Sequence, residues 1–519
     1  MMMTTHRSTQ LAHGLIVVAL LLGACLRLFN LGNVGERTPD EKTYTAQAAA
    51  LLGEGLPGLR RMAAEYVQDN NYRYLPPPNR IGYTAPVAGL MAATGRSDAL
   101  IGAWVSALAS IAGLAVVAAI GVRFFGPWVG ALAVLLLATF PPDLVIARRA
   151  WSDALVSLLT VILLYCALAL ARSATSWRPA LAFLAAGSIF AMTKETAVIV
   201  SGLCLVWIVA SQRRSAIPLA AATVVAGILS LAFVAWAIGG AAILWDIQSR
   251  IGSFHRVNPY AIDYQSGPAW WLLKSFWITS PWTFALALAG LVTAPFFDAW
   301  RDRRAVIALA GFVAVMLAIP LALPAWLNLR YSSLAFGPLC LMAAAALYQG
   351  LRMLQARLPS ATVTAPAILA GVGIAAAGLG DYRYFNRWFV ATQTADLSVR
   401  MLFATAGDEK DLPPPGASPR QPTQADQSRL LAADALNRSL ALYQQGRFDE
   451  AIAAARAALA LRPDYAEAHN NLAAAYASKG MWDEAIRAAE EALRLRPDFQ
   501  LARNNLAWAR GEKVKGGGR

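Results

Sequence analysis

Long apolar runs separated by short polar connections fill the chain as far as residue 380, and a different pattern takes over beyond it. Runs close to the length of a membrane-crossing helix lie at 11–29, 98–121, 127–142, 151–171, 179–193, 196–211, 216–239, 276–297, 304–323, 331–350 and 363–380. They predict about eleven spans, since roughly 20 apolar helical residues cross a bilayer core. The shorter runs suit a tilted or re-entrant course. The first run follows a short basic start (His6, Arg7) as a secretory signal does, but no small-residue cleavage site follows GACLRLF, so it is expected to remain as a helix.

The tail reads differently. A Pro-, Gly- and Asp-rich linker, GDEKDLPPPGASPRQPTQADQ at 407–427, leads into helix-forming sequence over 428–512, and 513–519 is expected to be disordered. Within the tail GRFDEA at 446–451 returns as GMWDEA at 480–485, and LRPD at 461–464 returns at 495–498, a period of 34 residues. That is the tetratricopeptide period. Leu472, Ala473, Tyr476, Ala485, Ala492 and Pro497 fill the alternating small and large positions of one repeat, Arg438 stands where Leu472 would in the preceding one, and LARNNLAW closes the array as a cap. So short an array leans on a neighbour, and a protein or peptide partner is the expectation.

Composition excludes a soluble protein: 57% of the 519 residues are hydrophobic and 15% charged, with a mean hydropathy of +0.46. The net charge of +14 would suit a nucleic-acid partner until the charges are placed. Arg7, Arg123, Arg172, Arg178, Arg213, Arg214, Arg301, Arg303, Arg304, Arg352 and Arg357 fall in alternate connections, as cytoplasmic Lys and Arg do, so most of the surplus is topology and no nucleic acid is implied. Cys25, Cys166, Cys204 and Cys340 lie inside runs and make no disulfide framework, and the four histidines show no metal-ligand spacing.

With the N-terminus inside, the stretch 31–97, the turns PPDLVIARRAWSD and TKET, the connection from Gly239 to Ser275, WLNLRY and the repeat tail all emerge on the outer side. Asp40, Glu41, Arg148, Arg149, Asp153, Lys194, Glu195, His255, Arg256 and Arg330 then share one face. Arginine there runs against the orientation rule, and an anion held at the outer headgroup level is a reason to keep it. The plainer alternatives are headgroup anchoring by Arg148 and Arg149, a local ion pair at Lys194 and Glu195, and Asp153 pairing with a neighbouring arginine.

The order of PDEKTY after the first span, ARRAWSDAL, AMTKET at the end of a later span and LRYSSLAFGPLCLMAA near the last resembles GT-C glycosyltransferases over residues 11–400. It is most similar to protein O-mannosyltransferases and to the aminoarabinose transferases that modify lipid A. The resemblance implies an all-α polytopic bundle (residues 1–406), here joined to an α-solenoid tail, in the plasma membrane of a bacterial cell. It also implies transfer of a sugar from a polyprenyl phosphate to an acceptor hydroxyl at the outer face, with no cofactor or metal indicated. Asp40 would be the general base, and Glu41 would orient acceptor or sugar. Arg148, Arg149, Lys194 and Arg330 would hold the lipid phosphate, with Tyr44, Asp153, Glu195 and His255 in support. The aminoarabinose transferases place a Lys before a double proline; here Leu75 stands there, and Arg73 or Arg80 would replace it. A transporter or flippase of an anionic substrate is the rival class, but it calls for polar residues at mid-span and repeats within the membrane part, whereas these spans are Ala, Leu, Val, Ile and Gly at their centres.

A reporter active only in the cytoplasm is expected to be active when fused after Arg214 or Arg304 and silent after Gly380. Activity after Gly380 would place the tail in the cytoplasm and overturn the shared-face assignment.

Overall fold

A computed structural model describes residues 2–32, 38–69, 75–173, 175–257, 265, 267–294, 303–322, 327–357, 371, 373, 378, 397–399, 402–403, 424–497 and 499–516. Among them there is no strand beyond one isolated bridge between Asn328 and Ser398. This is the outcome expected where no water is present to satisfy the backbone, because a helix closes its hydrogen bonds within itself. The chain divides into two compact units, one drawing on residues 1–254 and 264–417 and the other mainly on 418–519.

In the first unit the helices are α1 (Met2–Leu28), α2 (Pro39–Glu54), α3 (Leu56–Gln68), α4 (Ile81–Thr94), α5 (Ala99–Ile120), α6 (Pro127–Ala138), α7 (Pro141–Ala147) and α8 (Asp153–Leu170). They continue as α9 (Trp177–Ala191), α10 (Ala197–Gln212), α11 (Ile217–Ile238), α12 (Ala241–Val257), α13 (Trp271–Thr279), α14 (Pro281–Thr293), α15 (Arg303–Ala322) and α16 (Ser333–Arg357). Among the described residues six helices are long and apolar enough to cross a membrane, the pair α6 and α7 passes the same test together but is bent by 63°, as in a broken span or a re-entrant loop, and α9, α10 and α14 are shorter apolar helices. The chain is a multi-pass membrane protein. Two expected spans are broken, and a proline begins the second half of each, Pro141 in 127–142 and Pro281 in 276–297. Proline lacks the N–H that would continue the first half and has its φ already set for a new first turn. The run 363–380 lies almost wholly outside the described residues.

Helix α6 is the centre of the bundle, buried at every position from Trp128 to Ala138 and packed against α1, α5 and α16. Its hairpin with α5 is held at backbone contact: a Cβ on Gly121 would lie 2.3 Å from Gly130 Cα. By contrast α11 turns Val224, Val225, Ile228, Leu229 and Trp236 outward, a face suited to lipid. The segment expected as a loop at 31–97 contains α2, α3 and α4. Helix α3 buries Leu59, Ala63 and Tyr66, one stripe at helical spacing.

A buried ion pair fastens the bend between α6 and α7. Arg27, near the end of α1 and wholly buried, donates to Asp143 Oδ2 at 2.6 Å, to Ser110 Oγ at 2.7 Å, and to the carbonyls of Gly23, Leu137 and Ala138. Ser110 Oγ in turn donates to the same carboxylate oxygen at 2.7 Å. Leu137 and Ala138 are at the broken end of α6, so the guanidinium takes up carbonyls that the bend leaves without helical partners.

The second unit contains α17 (Gln424–Gln444), α18 (Phe448–Leu461), α19 (Ala466–Ser478), α20 (Trp482–Leu495) and α21 (Gln500–Gly516). Gly446 and Gly480, 34 residues apart, both take a positive φ (75° and 74°) between paired helices, where a side chain would be strained. The ion pairs Lys479–Asp449 and Lys513–Asp483 repeat with the same offset. Lys513 of the second pair lies on the last helix, which runs through Gly516 into the stretch expected to be disordered.

Removing one member of the Arg27–Asp143 pair leaves a buried charge without its counter-charge, at a cost of about 3–5 kcal/mol. Arg27→Met or Asp143→Asn is expected to lower the thermal midpoint of the detergent-solubilised protein sharply, and the double variant Arg27→Met/Asp143→Leu to recover part of the loss. Midpoints unchanged in both single variants would show that the pair does not hold the bend.

Candidate active site

Five segments far apart in sequence meet at one end of the bundle: the first turns of α2, the approach to α4, the turn from α7 to α8, the turn from α9 to α10, and the 3-10 turn Leu329–Ser332. These are the connections that the sequence assigns to the outer side. Pro39 opens α2 at its first position, and Asp40 and Glu41 follow in its first turn, where the helix dipole favours carboxylates.

The two carboxylates point to different neighbours. Glu41 is fully buried: its Oε2 accepts from the backbone N–H of Thr38 at 2.8 Å and from Arg149 Nη1 at 3.3 Å, and its Oε1 accepts from the N–H of Ala150 at 3.1 Å. It ties the start of α2 to the turn before α8. Asp40 is 24% exposed, and its Oδ2 lies 2.9 Å from Arg330 Nη2.

Arg330 is the hinge of the cluster. Its Nε lies 3.5 Å from Asp153 Oδ2, while Lys194 Nζ donates to Asp153 Oδ1 at 2.6 Å. Its guanidinium sits 4.8 Å over the Trp151 ring, and Lys194 Nζ lies 5.4 Å from the Tyr331 ring centre. The Asn328 side chain accepts from the Arg330 backbone N–H at 3.1 Å and fixes the turn that presents it. Beside this group Arg80 donates to the Tyr44 hydroxyl at 2.6 Å and faces Glu195 at 3.8 Å. The Tyr44 hydroxyl also meets Ser152 Oγ at 3.1 Å.

Burial pushes the Lys194 ammonium below its ordinary range, opposed by the carboxylate of Asp153. Burial likewise raises the Tyr44 phenol, against the pull of Arg80. Lys194 and Asp153 form the closed floor; Asp40, Arg80, Arg330 and Glu195 are its partly open rim.

The structure thus brings together Asp40, Tyr44, Arg80, Asp153, Lys194, Glu195 and Arg330. It sends Arg148 and Arg149 elsewhere. Arg148 donates to the carbonyls of Leu26, Phe29 and Asn30 at 2.9, 2.8 and 3.1 Å, closing the C-terminal end of α1, and Arg149 meets Glu41 as described. Arg73 lies outside the described residues, and of His255 only the backbone, within α12, is described. Tyr331 and Trp151, which carry the cations, stand within the quoted stretches LRYSS and ARRAWSDAL but have no charge to mark them. Beside α2 a cavity of about 290 Å³ is lined by Thr43, Gln47, Arg61, Glu65, Tyr66 and Pro76 among others. Among the described residues no three His, Cys, Asp or Glu side chains are grouped to hold a metal ion.

Because Arg148 serves the end of α1, Arg148→Met is expected to cost about 1–3 kcal/mol of stability by leaving the carbonyls at the end of α1 without their donor. Thermal unfolding reads that loss. Wild-type stability together with weakened binding of a lipid phosphate would instead return Arg148 to the anion site.

In sequence, residues 440–480 match the TPR repeat family and residues 466–499 the tetratricopeptide repeat family. No curated protein matches the chain. Among solved structures the chain is similar to ArnT from Cupriavidus metallidurans bound to undecaprenyl phosphate, at 15% identity and a TM-score of 0.47, over 93% of this chain and 80% of that one. It is similar also to the Archaeoglobus fulgidus oligosaccharyltransferase in the apo form, at 12% identity and a TM-score of 0.46, over 81% of this chain and 59% of that one. The repeating glycines, ion pairs and family matches together make the tail of this membrane protein a tetratricopeptide array.

Proposed function

We propose that the protein is an integral membrane glycosyltransferase that moves a sugar from a polyprenyl-phosphate donor to an acceptor hydroxyl at the outer face. The observation that carries this reading is the gathering at one end of an apolar bundle of a partly open carboxylate, Asp40, paired with Arg330, beside the cations Lys194 and Arg80. A donor whose tail lies in the bilayer can present its phosphate and sugar at that depth, where a low dielectric strengthens each charge contact.

In this reaction the acceptor oxygen attacks the anomeric carbon, its proton passes to Asp40, and the bond from that carbon to the phosphate oxygen breaks. The electron pair leaves with the lipid phosphate. In this reading Arg330 and Lys194 meet that growing charge, and Arg80 takes the part of the missing Lys. Glu41, Arg148 and Arg149 hold the scaffold around them. The tetratricopeptide tail recruits a protein or peptide partner, as such arrays do. A flippase would need charged groups free to engage a passing headgroup at mid-span. The intramembrane pair Arg27–Asp143 lies near the end of α1 and is sealed by its own hydrogen bonds, so it favours no such role.

Asp40→Asn keeps size and hydrogen bonding but loses basicity, and turnover is expected to fall by about 100-fold. Lys194→Ala and Arg330→Ala are expected to weaken binding of the lipid phosphate and to slow turnover as well. Both quantities are measured separately in nanodiscs with a panel of polyprenyl-phosphate sugars. Unchanged turnover in Asp40→Asn removes the general-base assignment, and no transfer from any donor by folded wild-type protein removes the transferase reading.

A further inference from the structure

We infer that Asp40 and the donor phosphate compete for one edge of Arg330, so that binding of the donor releases the carboxylate that the acceptor then uses. The inference rests on the transferase reading. As the structure stands, Asp40 Oδ2 occupies the guanidinium edge at Nη2 (2.9 Å), and Arg330 is not free to follow it outward. The ring faces of Trp151 (4.8 Å) and Tyr331 (5.6 Å) fix its plane, Asn328 fixes its backbone, and Asp153 lies 3.5 Å from Nε.

Asp153 is held by a second cation as well, since Lys194 Nζ donates to its Oδ1 at 2.6 Å. The exchangeable partner is therefore Asp40, the more exposed of the two carboxylates on Arg330 (24% against 3%). The donor's phosphodiester offers two non-bridging oxygens to the planar fork, so it can take that edge with two parallel hydrogen bonds where Asp40 holds it through Oδ2.

The exchange has a chemical consequence. While Asp40 Oδ2 accepts from Arg330, the carboxylate is held against the guanidinium, and only its remaining lone pairs can face an acceptor hydroxyl. Once phosphate takes the edge, the oxygen is freed beside the newly bound donor. Donor binding then precedes productive acceptor binding, and an empty enzyme keeps its base occupied.

The test is the affinity of undecaprenyl phosphate, without a sugar, for the full-length protein in nanodiscs. Asp40→Asn removes the competitor, and binding is expected to tighten about tenfold in the variant whose turnover collapses. General charge repulsion would also tighten it, so the same change is made in an Arg330→Gln background, where it is expected to alter affinity less than about twofold. Asp40→Ser replaces the Asn variant if the latter does not fold. Equal affinity in wild type and Asp40→Asn overturns the competition and leaves the transferase reading intact. An undiminished tightening in the Arg330→Gln background overturns it too, because Arg330 is then not the contested group. A wild-type protein that binds no undecaprenyl phosphate overturns both the competition and the donor class.

Discussion

The site depends on a buried guanidinium that finds acceptors at the break between α6 and α7. Arg27 draws α1, α5 and the broken end of α6 onto Asp143, the third residue of α7. That fixes where α7 delivers the turn 148–153. From the turn, Arg148 closes α1, and Arg149 with the Ala150 N–H grips Glu41. Glu41 in turn fixes the first turn of α2 and so the position of Asp40. Each link satisfies a group that would otherwise be buried without a partner, at a cost of several kcal/mol. The charged chain is held as a unit by this requirement, because an apolar bundle offers no water to a side chain that loses its place.

At the end of that chain stand three cations (Arg80, Lys194, Arg330) and three carboxylates (Asp40, Asp153, Glu195) paired with one another. Such a cluster is stable without a ligand because it supplies its own counter-charges. An incoming anion has to replace an internal carboxylate and cannot simply add to a waiting positive field. Of the two carboxylates on Arg330, Asp40 is the easier to replace, since it is the more exposed and Asp153 is also held by Lys194.

Much of the fold is legible in the sequence. The apolar runs became helices where they could be described, because hydrophobic length is a strong signal, and the 34-residue period of the tail is carried by Gly446 and Gly480 in one repeated conformation. The bend at Pro141 and the break at Pro281 were less legible, since composition alone does not distinguish a continuous run from two halves. The helices within 31–97 escaped notice because their buried stripes are short and use small residues such as Ala48 and Ala63.

The site was legible by residue type and only partly by role. Outer-face placement selected Asp40, Lys194 and Arg330, which do converge, but it could not separate them from Arg148 and Arg149. The reason is geometric. What occupies Arg148 is the carbonyl group of Phe29, 119 residues away, and what occupies Arg149 is Glu41, 108 residues away. No local pattern records such a partner. Two adjacent arginines in one turn thus point to different tasks from those of Arg330, which has an aromatic face beneath it and a partly exposed carboxylate on its edge. Arg148 is held by three backbone carbonyls, whereas Arg330 is held in part by an accessible side chain. That difference, more than charge or position in the membrane, separates the two kinds of arginine here.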